Sequence, residues 1–266
     1  MPETTVDAPF RTPLILERTT PSDSPQFYVR MGYVCAFVAV VGFIPTYWAP
    51  VASASFGGPP LLHLHGLLFS AWPLLFIVQA RLALSGRLER HRVLGYVGIS
   101  LVTAMLFAGI AVVIDGLRTS LAAGFESARA FTIVPLSILL SFVGLVAAAI
   151  ANVRWPEVHM RLMTAATVTL LPPAIARILF FLISPEGVAA PGQGEPPTVA
   201  FALLPSFLAN GLIAVALARD WRRTGRPHPA YLWSAACLVA IQLGRIPVSR
   251  TAMWHGFTSW LLTVAG

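Results

Sequence analysis

Seven apolar stretches of about twenty residues follow one another along this chain, near 31–49, 61–83, 93–115, 130–153, 162–184, 199–219 and 231–249. Each is long enough to cross a ~30 Å hydrocarbon core as a helix. No water is available there to satisfy backbone N–H and C=O groups, so the spans must be helical. The pattern therefore predicts an all-α fold, a polytopic transmembrane helix bundle of about seven spans. Residues 1–29 are polar and proline-bearing and read as a cytoplasmic tail. Residues 30–250 form the seven-helix membrane domain. Residues 251–266 carry Trp254, His255, Phe257 and Trp260, and read as an interfacial helix or a partial eighth span. With no apolar core near Met1, a cleavable secretory signal is not expected.

Composition strengthens this picture. The chain is 56% hydrophobic and only 11% charged, where a soluble domain carries about 25% charged residues. All 18 basic residues are arginine. The absence of lysine excludes a retinal Schiff base, which seven helices would otherwise suggest. Cys35 and Cys237 both lie in apolar spans and read as small hydrophobes, not as a disulfide. The net charge of +7 comes mostly from loop arginines. It is a topology signal, and no nucleic-acid partner is expected.

Thirteen arginines cluster in alternate segments: Arg11, Arg18 and Arg30; Arg81, Arg87, Arg90 and Arg92; Arg154 and Arg161; Arg219, Arg222, Arg223 and Arg226. The intervening segments hold three, Arg118, Arg129 and Arg250. By the positive-inside rule the amino terminus is cytoplasmic and the carboxyl end periplasmic, in a cell inner membrane. The arginine-rich loops also resemble one another. His91, His159 and His228 open the third, fifth and seventh spans, and Glu89-x-His91 matches Glu157-x-His159. Three parallel helical-hairpin repeats, 61–115, 130–184 and 199–249, behind an amino-terminal helix would explain this; the alternative is that arginine-rich loops between apolar helices look alike by composition.

Polar groups at membrane depth are the candidates for chemistry. His63 and His65 open the second span. At positions i and i+2 of a helix they point ~200° apart, so they do not serve one metal from one face. Either His65 faces inward with Gly66 allowing close helix approach, or Pro59-Pro60 delays the helix, or both rings rest at headgroup level. Arg177 and Arg245 lie inside the fifth and seventh spans, where a charge costs ~2.5–3.5 kcal/mol at the helix centre. Partners at their level are Asp115 and the carbonyls freed by Pro172-Pro173, with Gln242 and Asn210 deeper. Together, His63, His65, Asp115, Arg177, Arg245 and His255 outline an outer-half ligand-binding pocket. Two arginines beside histidines suit a carboxylate, a haem propionate or a quinone carbonyl. At the inner side, His91 and His159 beside Glu89 and Glu157 are metal candidates, or solvated loop contacts.

Several signatures are missing. There is no phosphate-binding glycine loop, nucleophile elbow or HExxH zinc motif. Six histidines do not supply a di-iron hydroxylase, and none lies at mid-depth for a two-haem cytochrome. His63-x-His65-Gly66, Trp72, Gln79, His91-Arg92-x-x-Gly95, His159-Met160-Arg161 and the 172–177 stretch together resemble a family of bacterial polytopic membrane proteins. That family is described only as membrane proteins of unknown function. The resemblance covers roughly residues 60–180 and implies the fold and an inner-membrane location, with no activity attached. Three functions fit these residues. One is the binding of a small anionic ligand or a redox cofactor (haem, quinone or metal). The second is anion transport through the same pocket. The third is a non-catalytic assembly or sensing role, with Trp254 and Trp260 as the partner contacts. An oligomer is compatible with all three.

Overall fold

The computed structural model describes residues 25–183 and 194–264. Seven helical segments are long and apolar enough to cross a membrane: Gln26–Ala52, Pro60–Leu84, Leu88–Ala122, Ser127–Ala151, Pro156–Ile183, Val199–Thr224 and Pro229–Ser249. They are numbered here as spans one to seven. A terminal helix, Ala252–Val264, follows. No strand occurs among the described residues. The chain is an all-α polytopic membrane protein. Large apolar side chains such as Leu67, Phe107 and Trp233 stand on the outside of the bundle, two-thirds or more exposed, as lipid-facing residues do.

Several helices run past their apolar cores. Span three continues to Ala122 and reaches 35 residues, about 52 Å at 1.5 Å per residue. Asp115 therefore lies within that helix and not at its end. Span five begins at Pro156, where proline's missing N–H costs nothing in the first turn. This draws His159 and Arg161 into the helix from what the hydropathy pattern marks as loop. Span two starts at Pro60, so His63 and His65 are helical, and the alternative of a delayed helix is set aside. Residues 1–24 of the expected tail and the 185–193 part of the loop before span six fall outside the described residues, while residues 25–29, expected as tail, are helical and open span one.

Span five is the central post. It packs on spans one, two, four, six and seven. Thr164 through Thr169 are buried without interruption, so the helix has no lipid face there. Small side chains (Thr-Ala-Ala-Thr-Val-Thr) make such all-round packing feasible. The hydroxyls of Thr164, Thr167 and Thr169 donate to the carbonyls of Met160, Met163 and Ala165 one turn back, a pattern that bends helices. Pro172 and Pro173 then offer no N–H, and the helix breaks between Thr169 and Pro172 before resuming to Ile183.

Span one crosses this second half of span five at very close range. A Cβ on Gly42 would meet the backbone of Ala174, so only glycine permits the approach. Immediately beyond, the helix widens into a π-helical turn, Ile44–Trp48, at Pro45. Such turns carry an extra residue and redirect side chains. Here the extra residue turns Thr46 inward, where it is 4% exposed.

Candidate functional site

The contact at Gly42 brings Thr46 opposite Arg177, three residues after Ala174. Arg177 Nε donates to Thr46 Oγ1 at 3.1 Å and Nη1 donates to Pro173 O at 2.9 Å. The guanidinium lies over the Phe43 ring, 4.4 Å from its centroid. All three partners are neutral. No carboxylate among the described residues pairs with this cation.

The next residue of the π-helical turn, Tyr47, reaches span two. Its hydroxyl is hydrogen-bonded to His63 Nδ1 at 3.1 Å. The Phe56 and Tyr47 rings both lie against the His63 imidazole. Gly66 faces the Tyr47 ring so closely that a Cβ there would sit 3.0 Å from it. One turn along, His65 stacks on Phe69 with centroids 4.1 Å apart. His65 Nδ1 is buried with no hydrogen-bond partner among the described residues. Spans one, two and five thus assemble an unpaired cation, an unpaired imidazole nitrogen and a wall of aromatic rings at one end of the bundle. Thr46, Tyr47 and Phe43 are the members that sequence reasoning passed over. Pro45 within an apolar span was the only signal for them.

Arg245 belongs to a different set of partners. Its Nε donates to Ser137 Oγ at 2.7 Å and its Nη1 donates to Ser206 Oγ at 3.4 Å. It is 4% exposed and, like Arg177, has no carboxylate partner among the described residues. One turn earlier, Gln242 and Asn210 form a reciprocal amide pair, 2.8 and 3.4 Å. A shallow apolar groove of about 420 Å³ runs beside Ser137 on the outer face between spans four and seven. The two arginines therefore sit in separate environments, Arg177 against span one and Arg245 against spans four and six. Asp115 is half-buried and makes no hydrogen bond or ion pair with a described residue. His255 lies in the terminal helix, and only its main chain is hydrogen-bonded. Adjacent residues of span one, Thr46 and Tyr47, link Arg177 to His63, whereas Asp115, Arg245 and His255 share no hydrogen bond or ion pair with either of them.

The arginine-rich end holds an ion pair that hydropathy alone concealed. Arg161 Nε donates to Asp220 Oδ2 at 2.8 Å, and both side chains are 2% exposed. Arg161 Nη1 also donates to Glu157 O, and its guanidinium lies near the Tyr231 ring. Arg219 stands 3.8 Å from the other Asp220 oxygen, over the Phe27 ring. Spans one, five, six and seven are thereby tied together. At the same end, the His91 and His159 rings meet edge to face with centroids 6.2 Å apart. Glu89 and Glu157 make no bond to either ring.

No protein-family model, no curated protein and no solved structure matches this chain. A partly buried cation at membrane depth with neutral partners costs free energy that an anionic or carbonyl oxygen would offset. The ring-lined surroundings favour a flat or lipophilic headgroup over a hydrated ion.

Proposed function

We propose that this protein is a multi-span inner-membrane protein that binds a small anionic or carbonyl-bearing amphiphile at the Arg177 site. The observation that carries this reading is a guanidinium held, among the described residues, by the neutral Thr46, Pro173 and Phe43, in the same cluster as His65, whose Nδ1 has no hydrogen-bond partner among them. Arg177 supplies the charge. His65 and the Tyr47–His63 pair supply directional hydrogen bonds. Phe43, Phe56 and Phe69 exclude water. A quinone-type headgroup and a fatty carboxylate both belong to this ligand class, and the redox reading applies to the first. The amino terminus is cytoplasmic on the arginine bias; reporter fusions at the loops after spans three and seven must then report the periplasm.

The binding test uses thermal shifts of the purified chain with decanoate, a decyl-substituted benzoquinone and neutral decanol. At least one of the first two should raise the melting temperature of the wild type and leave Arg177→Gln unmoved. Equal shifts in the variant, or an equal effect of decanol, would refute the reading. An absorption spectrum of the chain as purified separates a co-purifying coloured redox ligand from a colourless one.

Transport through the same site is the second reading. Its support is that both helices flanking Arg177 are interrupted there, span one by its π-helical turn and span five by its break. Discontinuous helices mark substrate sites in many transporters. The Arg161–Asp220 pair would then close the arginine-rich end. Uptake of labelled decanoate into proteoliposomes, lost in Arg177→Gln, would select transport; binding without uptake would exclude it for that substrate.

A further inference from the structure

We infer that His91 and His159 form a binding site for a first-row divalent metal ion at the arginine-rich end, independent of the Arg177 pocket. The two rings come from different spans, three and five, and meet with centroids 6.2 Å apart. Each is oriented by its own main-chain carbonyl. His91 Nδ1 lies 3.2 Å from Gln79 O, and His159 Nδ1 lies 2.9 Å from Ala149 O. A carbonyl oxygen only accepts, so both Nδ1 atoms carry the proton. In a neutral imidazole this leaves Nε2 with its lone pair. That is the arrangement by which proteins hold metal-binding histidines: one ring nitrogen donates to a carbonyl, and the other faces the ion.

The span of the pair fits one shared ion. With metal–nitrogen bonds of about 2.0–2.1 Å, and ring centres about 1 Å behind the nitrogens, bis-imidazole centroids lie about 5 Å apart at a tetrahedral metal and about 6 Å apart at a linear one. The observed separation equals the linear value, so a tetrahedral ion would draw the two rings about 1 Å closer together than they stand. A third feature points the same way. Gln79 clasps His91 a second time, its Nε2 donating to His91 O at 3.1 Å. This fixes the orientation of the amide and leaves Oε1 buried without a donor among the described residues. An oxygen acceptor in this clasp is suited to a metal-bound water. The neighbouring Arg87, Arg90, Arg92 and Arg154 are exposed, so solvent and salt screen their repulsion of the ion.

The probe is zinc, added to the full chain in detergent and purified without a histidine tag. Competition with a chromophoric chelator, checked by metal analysis, should give one zinc per chain. Asparagine keeps an N–H near the position of Nδ1 and lacks Nε2. His91→Asn and His159→Asn should therefore each weaken zinc binding by about 10–100-fold or more, with metal-free melting unchanged. Arg177→Gln should bind zinc as the wild type does. Copper(II) bound to the wild-type chain adds a readout that needs no variant, since pulsed EPR should count two imidazole nitrogens. A wild type that takes up no zinc above background, asparagine variants that retain it, or a copper spectrum with fewer than two imidazoles would overturn the site and leave a packed ring pair only.

Discussion

Removing the Asp220 carboxylate should destabilise this protein more than any surface change. Asp220 and Arg161 are each 2% exposed and 2.8 Å apart. Asp220→Asn keeps the shape and removes the charge, so Arg161 is left buried and poorly compensated. Breaking a buried pair from one side costs about 3–5 kcal/mol. The Glu157 carbonyl and the Tyr231 ring still hold the guanidinium, which puts the expectation near 3 kcal/mol. At about 2–4 °C per kcal/mol for a chain of this size, melting should fall by about 6–12 °C. Tryptophan fluorescence during heating in detergent reads this directly. The double variant Arg161→Leu/Asp220→Leu removes both fully buried charges, leaving only the partly exposed Arg219 without Asp220, and should melt well above Asp220→Asn, because apolar replacement of a whole buried pair is often neutral. An Asp220→Asn chain that melts with the wild type would refute the reasoning. So would a double variant no better than the single one.

Gly42→Ala should clash with the Ala174 backbone and lower stability by about 1–3 kcal/mol, as overpacking does, measured by the same melting assay. Thr46→Val removes the acceptor of Arg177 Nε at nearly constant volume and should cost about 1.5–3 kcal/mol, the range for hydrogen bonds to charged groups; Thr46→Ser should recover most of it. Trp72 Nε1 donates to Thr167 Oγ1 at 3.2 Å in the buried centre. Trp72→Phe should cost that bond, about 1 kcal/mol, together with some packing against Phe142. Trp254 Nε1 donates to Arg129 O and Arg129 Nη1 donates to Ser259 Oγ. Deleting residues 252–264 should therefore loosen the 127–131 helix, seen as faster proteolysis after Arg129.

Seven membrane helices could be read from hydropathy alone, because the bilayer dictates both the length and the helical state of any spanning segment. The broken fifth span was legible too, since Pro172-Pro173 cannot continue a hydrogen-bonded helix. Gly66 and the histidines at the mouth of span two stood out for the same local reasons. Partnerships were not legible. Arg161 and Asp220 sit 59 residues apart, at positions that hydropathy assigns to a loop and to a helix end. Only the packing of spans five and six shows that both are buried and paired. Arg177 and Arg245 looked alike as lone charges in apolar runs, yet one faces a π-helical turn and the other two serines. Helix rotation decides which neighbour a side chain meets, and it is set by side-chain packing on all sides at once, such as the touch of Gly42 on Ala174. A linear pattern fixes where a residue lies along the membrane normal, and the tertiary structure alone fixes the direction it points within the plane.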